Sequence, residues 1–306
     1  MTAIEVLTFN CFGVAMDLKA VLRRRGPPDE HRMAHPVVRQ CLERADVVCM
    51  QEVWIPEAVE LFQGLEQEHK VHDANGWTFW PLTIAGSGLA IASRFPLASD
   101  GAGAFQCKGA LSDKLARKGW LHAVPALGGD PARKLDVFTT HLQAGTGAAC
   151  RRARSCQLGE LREAVDALGT ADGPVLLCGD MNIDGLRANQ DDEYRQLMDL
   201  FSDFVDLGAE ADQPTMCPDE EINELAHRYW SAEPNQRIDY LLYRCPPASW
   251  LRVESVTRLF DERLPAHGGP PTFASDHFGL AVRFELIDEE RAASVPTGSN
   301  KGSSAD

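Results

Sequence analysis

Six short apolar runs in this 306-residue chain each meet a polar or charged residue at one end, and that pairing restricts the folds open to it more than any other feature. Asn10 ends Ile4-Glu5-Val6-Leu7-Thr8-Phe9, and Glu52 follows Val47-Val48-Cys49-Met50-Gln51. His141 follows Val137-Phe138-Thr139-Thr140, and Asp180 and Asn182 follow Val175-Leu176-Leu177-Cys178-Gly179. Asp239 lies inside Arg237-Ile238-Asp239-Tyr240-Leu241-Leu242-Tyr243, and Asp276-His277 precedes Phe278-Gly279-Leu280. Runs this apolar belong to strands covered on both faces. A carboxylate against such a run is costly to bury unless a cation or a hydrogen-bond donor meets it. Singly, each residue has an ordinary explanation: Asp-His is a turn, Gly-Asp-Met-Asn a loop with local backbone bonds, a strand-end Glu a solvated side chain. Repeated at so many strand ends, the pattern points to one cluster where a sheet brings those ends together.

Strands are expected over residues 4–10, 45–53, 89–93, 120–127, 134–142, 174–180, 237–244, 251–259 and 278–286, and helices over 36–44, 56–67, 150–168 and 191–201. Pro56 sits at the first helical turn, where proline is favoured. Leu158, Leu161, Val165 and Leu168 make one apolar stripe along the third helix. About nine strands with four helices indicates α+β, two packed mixed sheets with outer helices. No repeat or linker interrupts the chain, so one domain is expected over residues 1–287. The polar residues 288–306 are expected to be a disordered tail.

Hydrophobic residues are 44 % and charged residues 25 %, which excludes a chain disordered throughout, a collagen or a coiled coil. Thirty basic against 45 acidic side chains give a net charge of −15. Nucleic-acid binding draws on basic patches, so this balance weighs against it. The nine cysteines are odd in number and form no Cys-x-x-Cys pair, and several lie in apolar runs. They are expected to be reduced thiols, which with no visible signal peptide in MTAIEVLTFN implies a cytoplasmic protein. No apolar run approaches the roughly 20 residues that span a bilayer.

Thr8-Phe9-Asn10, Gln51-Glu52-Val53, Thr140-His141-Leu142, Gly179-Asp180-Met181-Asn182, Arg237-Ile238-Asp239-Tyr240 and Ser275-Asp276-His277-Phe278-Gly279 occur in that order across residues 8–286. Together they resemble the motifs of the endonuclease/exonuclease/phosphatase superfamily of Mg²⁺-dependent phosphoesterases. The resemblance implies a DNase-I-like four-layer α/β/β/α sandwich with the site at one edge. It implies Glu52 as a direct metal ligand with Asn10 beside it, Asp276 as a further metal-side carboxylate, and Mg²⁺, or Mn²⁺ in its place, as the ion. It assigns His277 as general base oriented by Asp239, Asp180 as the residue that positions or activates the water, and Asn182 and His141 as contacts of the phosphoryl oxygens. The chemistry suits these residue types: Mg²⁺ takes one or two carboxylates and keeps water and substrate oxygens, and an anionic phosphodiester needs charge neutralisation before water attacks it.

Finer details are similar to neutral sphingomyelinases and phospholipase-C-like enzymes. Gln51-Glu52-Val53-Trp54 lacks the Lys that DNA-repair endonucleases place after the Glu. Thr140-His141-Leu142-Gln143-Ala144, Gly86-Ser87-Gly88-Leu89, Ser93-Arg94-Phe95-Pro96, the Lys108-Gly109 and Lys118-Gly119 pair, and Arg154 with Gln157 all have counterparts there. So do Pro214-Thr215 and Asn223-Glu224-Leu225-Ala226, although Met216-Cys217 replaces an aromatic residue and a carboxylate. This resemblance implies Lys118, Arg154 and Asn223 as substrate-binding residues, a phospholipid headgroup as substrate, and peripheral membrane contact. The exposed aromatic hairpin of the secreted bacterial enzymes is not found in the sequence. A nuclease or phosphatase of the same superfamily is the alternative; a non-catalytic scaffold predicts gaps in the motif set, and there are none.

Overall fold

The computed structural model describes residues 3–13, 30–73, 77–79, 82–84, 86–107, 117–127, 133–171, 173–187, 192–246 and 250–287. The expected tail and Lys108-Gly109 lie outside them. Strand β1 (Ala3–Asn10) leads to helix α1 (Pro36–Arg44), β2 (Val47–Gln51), helix α2 (Pro56–Gln63) and β3 (His69–His72). A separate antiparallel pair, β4 (Trp77–Phe79) and β5 (Leu82–Ile84), precedes β6 (Ala90–Ser93). Then come β7 (Leu97–Ala104), β8 (Gly119–Pro125), β9 (Asp136–His141), helix α3 (Ala148–Leu168) and β10 (Val175–Asp180). Helix α4 (Asp192–Leu200), β11 (Val205–Asp206), helix α5 (Glu224–Trp230), β12 (Asp239–Arg244), β13 (Leu251–Leu259) and β14 (Gly279–Leu286) complete the domain.

The strands form two six-stranded mixed sheets, β13-β14-β1-β2-β6-β3 and β11-β12-β10-β9-β8-β7. Three apolar clusters make the layers. Leu7, Phe9, Val48 and Met50 face Val38, Leu42, Leu61 and Phe62 of α1 and α2. Ile4, Val6, Val47 and Cys49 alternate with these and meet Val137, Leu176, Cys178 and Leu241 between the sheets. Phe138, Leu177 and Leu242 face outward again, onto Leu158, Leu161 and Val165 of α3 and Leu197 of α4. The period-two alternation of each central strand therefore feeds two different cores, which gives the expected α/β/β/α sandwich its DNase-I-like form.

The strands missing from the sequence reading are β3, β7 and β11, all at sheet edges, together with the β4–β5 pair. His69-Lys70-Val71-His72 and Leu97-Ala98-Ser99-Asp100-Gly101-Ala102-Gly103-Ala104 carry no continuous apolar pattern, because an edge strand is only partly covered. Helix α5 was also missed; its start is fixed by the Asn223 side chain, which accepts from the backbone N–H groups of Leu225 and Ala226. One further expectation is corrected. Cys107 and Cys156 are joined by a disulfide, so the thiols are not all free. The two residues stand 49 apart in sequence, and only the packing of α3 beside the chain leaving β7 brings their Cα atoms to 6.0 Å.

Arg32 ties the site end of the first sheet together. It is fully buried, and its guanidinium donates to the carbonyls of Cys11, Phe12 and Ala274, on the segments that follow β1 and precede β14. Replacing Arg32 by Met keeps the volume and removes the donors, leaving buried carbonyls without them. A loss of about 2–4 kcal/mol is expected, read as a lowered midpoint in urea with an unchanged slope.

Candidate active site

Backbone register places the site residues before any side chain is considered. In the second sheet, Asp180 pairs with His141 on one side and with Asp239 on the other, so three of the candidate residues stand in one row across β9, β10 and β12. In the first sheet, Asn10 pairs with Gln51, which sets Glu52 just beyond the same edge. Two glycines permit this crowding. A Cβ at Gly179 would lie 2.1 Å from the Thr140 carbonyl oxygen, and one at Gly13 would lie 2.1 Å from that of Glu52. Glu52 and Asn182 themselves adopt left-handed backbone, φ 62° and 53°, a strained choice for residues with a side chain and a common one at functional sites.

Side chains then join the two sheets. Asn10 Nδ2 donates to Asp180 Oδ2 at 3.0 Å, from β1 to β10. Asn10 Oδ1 accepts the Phe12 backbone N–H, and Asp180 Oδ1 accepts that of Asn182. His277 Nδ1 donates to Asp239 Oδ2 at 2.8 Å, and His277 Nε2 lies 3.9 Å from Asp180 Oδ2. His141 Nε2 lies 3.3 Å from Asp180 Oδ2 and 3.9 Å from Glu52 Oε1. Asp276 is held by the Trp230 indole N–H at 2.7 Å and by the Ser275 hydroxyl. Asn182 Nδ2 donates to the Leu142 carbonyl. Lys118, buried at the start of β8, acts electrostatically on Glu52, Asp180 and His141.

The proposed metal ligands, the base pair and His141 thus converge with Lys118, whereas Asn223 and Arg154 are engaged elsewhere. Asn223 caps α5 and donates Nδ2 to the Ser275 carbonyl. Arg154 forms a two-pronged pair with Glu193 and donates to the carbonyls of Gln143 and Gly145. Each therefore holds a loop that carries a site residue. Arg32 and Trp230 were missed by the sequence reading, and Thr215 entered it only as part of a motif, without a role. A buried arginine with backbone partners has no local sequence signature, and neither Thr215 nor Trp230 sits at the end of an apolar run.

The electrostatics call for a cation. Glu52 is pushed up to about 8 by burial and then by Asp276 and Asp180, against the pull of Lys118 and His277. Asp180 is raised to about 6 by burial and by Asp239. Burial lowers His277, but Asp239, Asp276 and Asp180 outweigh it and hold its pKa well above the usual histidine range. His141 is held well below that range by burial, Lys118 and His277, so it is neutral. The Glu52 Oε2 atom is buried without a hydrogen-bond partner. An orphaned carboxylate oxygen among Asp180, Asp239 and Asp276 fits a hard divalent ion, which takes oxygen ligands. Glu52 is the residue that would hold it, with Asp276 and Asn10 beside it. Asp180, Asp239 and His277 form a second set close enough to hold a metal, although the Asp239–His277 hydrogen bond already uses one pair of those atoms.

Because Glu52 and Asp180 bind protons more tightly folded than unfolded, the metal-free protein loses stability as pH rises from the ordinary carboxylate range to about 8. The raised His277 acts in the same direction, since its contribution is present at low pH and lost on deprotonation. His141, depressed in the fold, acts the other way up to the ordinary histidine range, so Tm without metal is expected to fall from there to pH 8, and Mg²⁺ to raise Tm more at pH 8 than at pH 5. Glu52→Gln should raise the metal-free Tm at pH 8, and the Mg²⁺ needed for half-maximal effect should rise roughly tenfold or more. A wild-type Mg²⁺ titration in that variant would remove Glu52 from the ligand set.

Among solved structures, sphingomyelinase C from Streptomyces griseocarneus superimposes with TM-score 0.67 at 20 % identity, over 92 % of this chain and 99 % of that one. Beta toxin from Staphylococcus aureus with bound magnesium ions gives TM-score 0.69 at 17 % identity over 94 % and 100 %. D. rerio TDP2 complexed with single-strand DNA product gives 0.64 at 17 % over 92 % and 98 %. At these identities the likeness is one of fold. No curated protein matches the chain by sequence. The pattern of the Endonuclease/Exonuclease/phosphatase family matches residues 7–277, a span that runs from the strand bearing Asn10 to His277 itself, and the chain belongs to that family.

Proposed function

We propose that the protein is a divalent-metal-dependent phosphodiesterase that hydrolyses the headgroup phosphodiester of a phospholipid of the sphingomyelin kind. The observation that carries the hydrolase reading is the His277–Asp239 pair, facing Asp180 in a cleft of carboxylates where Glu52 Oε2 is buried without a hydrogen-bond partner. Asp239 accepts the Nδ1 proton of His277, which leaves Nε2 to face Asp180. A water between Nε2 and Asp180 Oδ2 can hydrogen-bond to both and pass a proton to Nε2 as it attacks phosphorus. A bound Mg²⁺ supplies charge neutralisation at the phosphoryl oxygens. Asp276 and Asp180, if engaged by such an ion, would hold the His277 proton less firmly, and His277 Nε2 would then serve as base. Lys118 and neutral His141 face the same space and would contact the phosphoryl oxygens.

The choice of a lipid rests on charge and on local motifs. The net charge is −15, and Lys118 is the lysine or arginine acting on the Glu52, Asp180 and His141 cluster among the described residues. A nucleic-acid track needs several cations in line.

Purified protein with Mg²⁺ is expected to hydrolyse sphingomyelin in mixed micelles faster than plasmid DNA or a chromogenic phosphodiester, and to lose all three activities in EDTA. Cleavage of DNA with sphingomyelin untouched would replace the lipid reading by the nuclease one, and full activity after dialysis against EDTA would end the metal reading. His277→Ala is expected to reduce kcat about 10²- to 10⁴-fold. Asp239→Asn should be comparably impaired, and the double variant no worse than His277→Ala, because a base and its orienting partner act as one unit. Losses that multiply in the double variant would separate the two residues.

A further inference from the structure

We infer that Thr215 is the positioning residue that sets Asp239 against His277, a step that deepens the hydrolase reading and rests on it. Thr215 is fully buried and lies in the short segment before α5. Its hydroxyl oxygen accepts two backbone N–H groups, those of Ile238 and of Asp239, each at 3.1 Å. Its own N–H donates to the Gln236 carbonyl, and its carbonyl accepts the N–H of Phe278. The next residue, Met216, forms single antiparallel bridges to Gln236 on one side and to His277 on the other.

Asp239 and His277 come from different sheets, β12 in one and the lead-in to β14 in the other. Residues 215 and 216 are therefore a strut between the two halves of the pair, bonded to the backbone of both. At the Asp239 end the bond is made by a side chain. A threonine hydroxyl is the smallest group that can accept two adjacent N–H donors while its methyl fills apolar space. Removing it leaves the two N–H groups buried without an acceptor, so the start of β12 must shift to find one. The Asp239–His277 bond of 2.8 Å has little room for such a shift.

The test compares Thr215→Val, which keeps the shape and removes the acceptor, with Thr215→Ser, which keeps the acceptor. Two readouts are taken on each folded variant. One is steady-state hydrolysis of the best substrate; the other is the downfield ¹H NMR resonance of the His277 Nδ1 proton, assigned by its absence in His277→Ala. Thr215→Val is expected to lose about 10- to 100-fold in kcat, the cost of a misplaced catalytic group, with KM changed less than about twofold and the resonance shifted upfield or broadened. Thr215→Ser should recover most of both. If Thr215→Val melts below the assay temperature, Thr215→Cys, a similar volume with a weak acceptor, takes its place and should fall between the two. Wild-type kcat with an unmoved resonance in Thr215→Val, or a Ser variant no better than Val, overturns the inference. If wild-type protein is inactive on every phosphodiester, the hydrolase reading fails while the resonance still reports on the strut.

Discussion

Charge buried at one end of a two-sheet sandwich is the constraint around which this structure is arranged. Glu52, Asp180, Asp239 and Asp276 share a cleft in which an isolated carboxylate would be prohibitive. Each is met by donors of a different kind. Asp180 takes the Asn10 amide and the Asn182 backbone, Asp239 the His277 imidazole, Asp276 the Trp230 indole and the Ser275 hydroxyl. Glu52 alone is left with an oxygen unmet. Burial and neighbouring carboxylates raise Glu52 and Asp180 above the ordinary carboxylate range, which is the electrostatic setting that suits a divalent ion.

Neither sheet contains the site. The first supplies Asn10, Glu52, Asp276 and His277; the second supplies Lys118, His141, Asp180, Asn182 and Asp239. The inter-sheet core, with Val6, Cys49, Val137 and Leu176 among its members, fixes the distance between the two sets. A core packed at crystal-like density resists relative sliding, so hydrogen bonds such as Asn10–Asp180 are made at set lengths rather than by a mobile loop. The loops that do contribute are tied down separately: Arg32 holds the segments after β1 and before β14, and Arg154 with Glu193 holds the chain after His141.

The polar positions at strand ends were legible because burial forces a pattern on sequence. A central strand covered on both faces reads as an unbroken apolar run, and a charged residue at its end stands out against it. Asn10, Glu52, His141, Asp180, Asp239 and His277 were visible for that reason, and β13 was legible at full length although it is an edge. The edges β3, β7 and β11 were not, since partial exposure removes the pattern. Arg154 and Asn223 were singled out only by the resemblance to sphingomyelinases, as substrate-binding residues, and their partners, Glu193 and the carbonyls of Gln143 and Ser275, are set by the fold and not by any local pattern.

By itself, the sequence determined the order of the central strands and of four helices, the α+β class and most of the chemical groups available to the site, because each follows from local periodicity and residue type. The tertiary structure alone decided which groups meet. Strand register aligned His141, Asp180 and Asp239 in one row, sheet packing set His277 against Asp239, and the segment carrying Thr215 came to bridge them. It also joined Cys107 to Cys156 across 49 residues. Hydrogen-bond partners so far apart in the chain leave no periodic trace, since they are specified by the packing of whole layers rather than by any neighbour in sequence.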